Sequence, residues 1–122
     1  MLLDTCFLID LAKGDPGALK LIFRAGESKL HVCPIVIGEF LVPFAPNPQP
    51  GLTFLQSFEV LPTDELVAAK YAQLIHRLGR QKTVGGTNDI WIAATAIVNG
   101  TSLVTRNTAD FARIPELSLL SY

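Results

Sequence analysis

Short apolar runs alternate along the chain with segments of helical periodicity. Met1-Leu2-Leu3 is continuously apolar and ends at Asp4, the pattern of a strand buried on both faces. Thr5 is placed to cap a short helix, Cys6 to Lys13, that stops at Gly14. Asp15-Pro16 pairs an N-cap with proline at the first helical position and starts a helix to about Arg24, closed by Gly26. Leu30 to Cys33 predicts a second strand, and Pro34 opens a helix through Phe44. The proline-rich stretch Pro43 to Gly51 reads as a rigid surface loop. A short helix around Leu52 to Ser57 then leads to a third strand, Phe58 to Leu61.

Thr63 is placed to cap a long helix in which Val67, Tyr71, Leu74, Ile75 and Leu78 make one apolar face. Gly79 ends it, and residues 80–88 read as a glycine-containing loop. The run from Asp89 to Asn99 is apolar nearly all round, which predicts a buried helix. Ser102 to Thr105 and Leu117 to Leu120 supply a fourth and a fifth strand, with a short turn near Asp110 between them. Strands alternating with helices predict an α/β fold: one domain over residues 1–122 with a central parallel five-stranded sheet flanked by helices. Right-handed crossovers gather every strand's carboxyl end on one edge, where open sheets of this kind bind ligands.

Composition narrows the class. At 122 residues with 49% hydrophobic and 17% charged positions, the chain has enough apolar mass to fold without disulfides and is not disordered. The low charged fraction also suggests that a partner covers part of its surface. A net charge of −1 argues against a general polyanion coat, though not against a local basic patch. Cys6 and Cys33 lie in apolar contexts and read as buried thiols of a reducing compartment. They have no CxxC or HxxxH spacing to make a zinc site. Asp4 interrupts any signal peptide, and no apolar run reaches the eighteen or so residues of a membrane span, so the expectation is a soluble cytoplasmic domain without membrane contact.

The candidate chemistry is acidic. Asp4 ends the first strand, Glu39 lies about a turn into the helix after the second, and Asp89 opens the helix that runs into the fourth. Asn107 and Asp110 follow the fourth strand. Antiparallel packing of helices on strands brings all five positions to one edge. Asp89 and Asp110 also fit as simple helix-end acids. Glu39 does not, because its neighbours are apolar and no lysine or arginine lies between Lys29 and Lys70. Converging acids without interleaved bases mark a divalent-cation site, and hard oxygen ligands suit Mg²⁺ or Mn²⁺. Such ions serve phosphodiester hydrolysis.

The segments LLDTCFLID, VIGEF, GGTNDIWIAATA and LVTRNTADF resemble the PIN-domain family, specifically the VapC-type toxin ribonucleases, over the whole chain. The family's three acids fall on Asp4, Glu39 and Asp89; its fourth acidic position falls on Asn107, which leaves Asp110 as the alternative. The resemblance implies a Rossmann-like PIN fold and a Mg²⁺- or Mn²⁺-dependent endoribonuclease, the toxin of a type II toxin–antitoxin module. It also implies a homodimer, a cognate antitoxin protein and RNA substrates of the tRNA or rRNA class.

Thr5 is expected either to cap its helix or to hold Asp4, and Thr105 resembles the family's small hydroxyl residue beside the site. No acid lies between Glu65 and Asp89, whereas Lys70, His76, Arg77, Arg80 and Lys82 do. That stretch is either a solvated face or a stripe for RNA backbone, with Arg80 and Lys82 placed to reach phosphate and Thr5, Thr105 and Arg106 as further substrate contacts. Other aspartate-first α/β classes lack their defining residues here. Cys6 stands where a dehalogenase-type phosphatase needs a second aspartate, and no GxGxxG follows the first strand. The non-enzymatic alternative is a catalytically inactive PIN-like module that binds protein or RNA.

Overall fold

The computed structural model describes residues 1–26, 28–79 and 86–122. Among them the chain forms strands β1 (Leu2–Leu3), β2 (His31–Val32), β3 (Glu59–Val60), β4 (Leu103–Val104) and β5 (Leu119–Leu120). The helices are α1 (Thr5–Ala12), α2 (Pro16–Ala25), α3 (Pro34–Leu41), α4 (Gln49–Leu55), α5 (Glu65–Leu78) and α6 (Thr87–Val98). Every strand pairing is parallel, in the order β3-β2-β1-β4-β5, so the expected five-stranded parallel sheet is present.

The order fixes where a ligand can sit. From β1 the chain steps outward to β2 and β3 on one side, then crosses back through α5 and α6 to β4 and β5 on the other. β1 and β4 are therefore the neighbours between which the winding reverses, and their carboxyl ends flank the crevice of the sheet. The Asp4 N–H donates to the Val104 carbonyl at 3.0 Å, so the first residue past β1 is locked to the end of β4.

The core explains the apolar runs. Leu2, Leu3, Leu103 and Val104 are fully buried, as a strand covered on both faces requires. α6 buries Ile90, Ile92, Ala93, Ala94, Thr95 and Ala96, matching its all-round apolar sequence. The buried Thr95 hydroxyl donates to the Trp91 carbonyl within the same helix, so burial leaves it satisfied. Tyr71 of α5 stacks on Trp91 of α6 with ring centroids 3.8 Å apart and planes 10° from parallel.

Several boundaries differ from the sequence reading, each for a local reason. Asp4, not Thr5, caps α1: its Oδ1 accepts from the Thr5 N–H at 2.8 Å. Asp64, not Thr63, caps α5, accepting from the Val67 N–H at 3.0 Å. In both places two capping residues are adjacent, and the carboxylate takes the cap. α3 stops at Leu41 and tightens into a 3-10 turn over Val42–Phe44, because Pro43 cannot continue an α-helical ladder. The proline-rich stretch is not loop throughout, since α4 starts at Gln49 with Pro50 in its first turn, where a missing N–H is harmless. α6 starts at Thr87, after Gly86 with φ +82°, so Asp89 lies in its first turn rather than opening it. Cys33 is fully buried, whereas Cys6 is only half-buried, short of the burial expected. Among the described residues no helix is long and apolar enough to cross a membrane.

Candidate active site

Asp4 is the centre of the site. It is 6% exposed at the end of β1, and both carboxylate oxygens are occupied. Oδ1 takes the Thr5 N–H, and Oδ2 accepts the Thr105 hydroxyl at 2.7 Å, with the Cys6 thiol 3.7 Å away. The Asn107 N–H in turn donates to Thr105 Oγ1 at 3.1 Å, tying the turn after β4 into the same network. Burial holds the Asp4 carboxyl above its usual range, with the neighbouring Glu39 charge adding to the effect against the hydrogen bonds that favour ionisation.

Glu39 arrives from α3, half-buried. Its Oε1 accepts the Thr5 hydroxyl at 2.7 Å, and its Oε2 lies 3.5 Å from Asn88 Nδ2 in the first turn of α6. Thr5 thus joins the two acids, its N–H on Asp4 and its hydroxyl on Glu39. The sequence reading offered Thr5 as a cap or as a hydroxyl partner of Asp4; the hydroxyl serves Glu39 instead. Asn88 brings the start of α6, and with it Asp89, to this edge, where Asp89 is half-buried.

The fourth position stays divided. Asn107 is exposed and precedes a 3-10 turn over Thr108–Phe111. Asp110, half-buried within that turn, donates its N–H to the Asn107 carbonyl at 3.0 Å. Among the described residues no three His, Cys, Asp or Glu side chains are close enough together to form a ready-made metal cage. The donor set nevertheless fits a hard cation. Every group turned toward Asp4 and Glu39 offers oxygen or amide, except for the Cys6 thiol, and the two carboxylates repel one another.

Of the expected RNA contacts, Arg80 and Lys82 lie outside the described residues. Thr105 is fully buried, with its hydroxyl proton directed to Asp4. Arg106 points to a residue that sequence reasoning passed over. Its Nη1 donates to Asp10 Oδ2 at 2.7 Å, and the Tyr122 hydroxyl donates to the same oxygen at 2.6 Å. Asp10, 9% exposed in α1, is thereby a paired buried acid. Burial, with the Asp10 carboxylate, pushes the Tyr122 phenol well up, so its hydroxyl keeps the proton it donates. Asp10 and Asn88 both stand in the motif segments, but a helix acid with a partner 96 residues on leaves no local signal.

A family model described as "PIN domain" matches residues 1–117. The chain belongs to the PIN-domain family, among its VapC-type toxin ribonucleases. It is 32% identical to "Ribonuclease VapC" of Rickettsia bellii, over 99% of this chain and 95% of that one. It is 27% identical to the "tRNA(fMet)-specific endonuclease VapC" of Shigella flexneri, over 93% and 90%. The crystal structure of DNA-bound VapBC from Salmonella typhimurium superposes with a TM-score of 0.82 at 28% identity, covering 98% of this chain and 96% of that one. The five parallel strands and flanking helices are thus those of a PIN nuclease, and enzymes of this family are generally metal-dependent.

Proposed function

We propose that this PIN domain, residues 1–122, hydrolyses RNA phosphodiester bonds with Mg²⁺ or Mn²⁺ held by Asp4, Glu39 and Asp89, with Asn107 or Asp110 in the fourth position. The observation that carries the reading is the Asp4–Thr5–Glu39 junction at the winding reversal between β1 and β4, two repelling carboxylates bridged by one residue. A divalent cation held by these residues would supply positive charge for the scissile phosphate and make a bound water more acidic. The protein's own part is to hold the acceptors in place. The Thr105 hydroxyl and the Thr5 N–H fix the Asp4 carboxylate, and the Thr5 hydroxyl fixes that of Glu39. The donors to Asp4 favour the ionised form that binds a cation, against the burial that opposes it.

Structured RNA of the tRNA or rRNA class is the proposed substrate, with Arg80 and Lys82 as phosphate contacts. The tRNA-specific name of the Shigella relative supports the first of these. A cognate antitoxin is the proposed partner, supported by the antitoxin complexes among the similar structures, and the proposed state is a cytoplasmic homodimer. The deciding experiment incubates purified protein with total RNA in Mg²⁺, Mn²⁺ or EDTA and maps the cut ends. Discrete cuts that need the ion and vanish in Asp4→Asn are expected. Cleavage that persists in EDTA, or in Asp4→Asn, overturns the assignment.

A further inference from the structure

The Asp10 cluster lies outside the acid junction, yet its partners come from three distant parts of the chain. Asp10 sits in the second turn of α1, Arg106 just past β4, and Tyr122 just past β5. Arg106 Nη1 and the Tyr122 hydroxyl converge on a single oxygen, Asp10 Oδ2, at 2.7 Å and 2.6 Å. The Tyr122 ring also stands edge-on to Phe7, one turn nearer the start of α1, with centroids 4.8 Å apart and planes at 89°. A buried charge with two charge-assisted donors is held firmly, and removing either donor leaves it under-satisfied.

What the cluster holds is the turn beside the site. Arg106 lies between Thr105, whose hydroxyl donates to Asp4, and Asn107, whose N–H donates to Thr105. α1, in turn, begins at the Asp4 cap. The turn after β4 is therefore fastened to α1 twice: at the first residue through Thr105 and Asp4, and six residues on through Arg106 and Asp10.

We infer that Asp10, Arg106 and Tyr122 are positioning residues for the nuclease site, clamping the turn after β4 onto α1 so that Thr105 and the fourth-position side chains stand at Asp4. The inference rests on the metal-site reading proposed above. It also gives Arg106 a role through Asp10 in place of a direct RNA contact. Asp10 and Tyr122 touch neither acid and are not placed in the binding machinery. A change at either one then reports on the clamp alone.

The test measures Mn²⁺ affinity by isothermal titration, and kcat and KM on a cleaved RNA, for wild type, Asp10→Asn, Arg106→Gln, Arg106→Lys and Tyr122→Phe. Loss of an outer partner of a metal site weakens ion binding by about tenfold or more. That loss is expected for Asp10→Asn and Arg106→Gln, with kcat reduced and KM for RNA unchanged. Arg106→Lys should recover most of it, and Tyr122→Phe, which keeps the ring contact with Phe7, should lose severalfold. The Asp10→Asn/Arg106→Gln double variant should be no worse than either single one, because both remove the same link. Folded variants that bind Mn²⁺ like wild type overturn the clamp. So does an Arg106→Gln that raises KM for RNA without changing Mn²⁺ affinity, the signature of a phosphate contact. If Asp10→Asn fails to fold, Tyr122→Phe and Arg106→Lys decide by the same two readouts. A wild type that neither binds Mn²⁺ nor cuts RNA overturns the metal reading and the clamp with it; a wild type that does both beside matching variants overturns the clamp alone.

Discussion

Asp4 does two jobs that conflict. As the cap of α1 and the partner of Thr105 it is best ionised, yet it is buried beside Glu39, and the balance raises its pKa. The sign of the linkage follows. Protonation favours the folded state, and that contribution is complete below the ordinary value of 3.8 and fades as the pH rises through the higher folded value. At neutral pH without metal, the ionised Asp4 is therefore a net burden on the fold. Asn keeps the cap and still meets Thr105, whose hydroxyl can accept as well as donate. Asp4→Asn in EDTA is thus expected to melt at or above the wild-type temperature at pH 7, with the gap narrowing toward pH 3, while RNA cleavage is lost. Thermal melts across that range check it. A wild type that gains on the variant as the pH rises from 4 to 7 would show that the carboxyl is not raised. At this scale the acids were legible in sequence because carboxylates in apolar surroundings demand a reason. Asp10 was not, because its reasons, Arg106 and Tyr122, lie 96 and 112 residues away.

At the scale of elements, the order of strands and helices could be read from alternating apolar runs and glycine stops, and Gly26 and Gly79 do end α2 and α5 with φ of +57° and +58°. Starts were harder wherever two capping residues are adjacent, as in Asp4-Thr5 and Thr63-Asp64, since the choice depends on backbone angles that composition does not encode. The α5 start gives a clean test. Asp64 accepts from the Val67 N–H and lies before Glu65, away from the acid junction. Asp64→Ala should lower stability by about 1 kcal/mol, roughly 4 °C in Tm, and leave metal-dependent cleavage unchanged. Thr63→Ala should be near neutral. If Thr63→Ala proves the more harmful of the two, Asp64 is not the cap. The α5–α6 pair bears on the proposed site because α6 brings Asn88 to Glu39, with the Tyr71–Trp91 stack fixing one helix on the other.

For the whole molecule, the winding order turns a local repulsion into a folding property. Asp4 at the end of β1, Glu39 on α3 and Asp89 at the start of α6 are separated widely in sequence, and only the assembled sheet brings their elements to one edge. The unfolded chain offers no such gathering, so a cation held at the proposed site would bind the folded state almost alone. Mass action would then add about 2.7 kcal/mol at a hundredfold excess over Kd. Asp89→Asn removes one charge from the edge with little change of shape. With Mn²⁺ it should gain far less than wild type does. Asn107→Asp should enlarge the wild-type gain if that side chain completes the site, and Asp110→Ala should reduce it if Asp110 does. Paired melts in EDTA and in Mn²⁺ separate these cases. Equal Mn²⁺-induced shifts in wild type and Asp89→Asn would mean that Asp89 does not share a site with Asp4 and Glu39, however close the fold brings their elements.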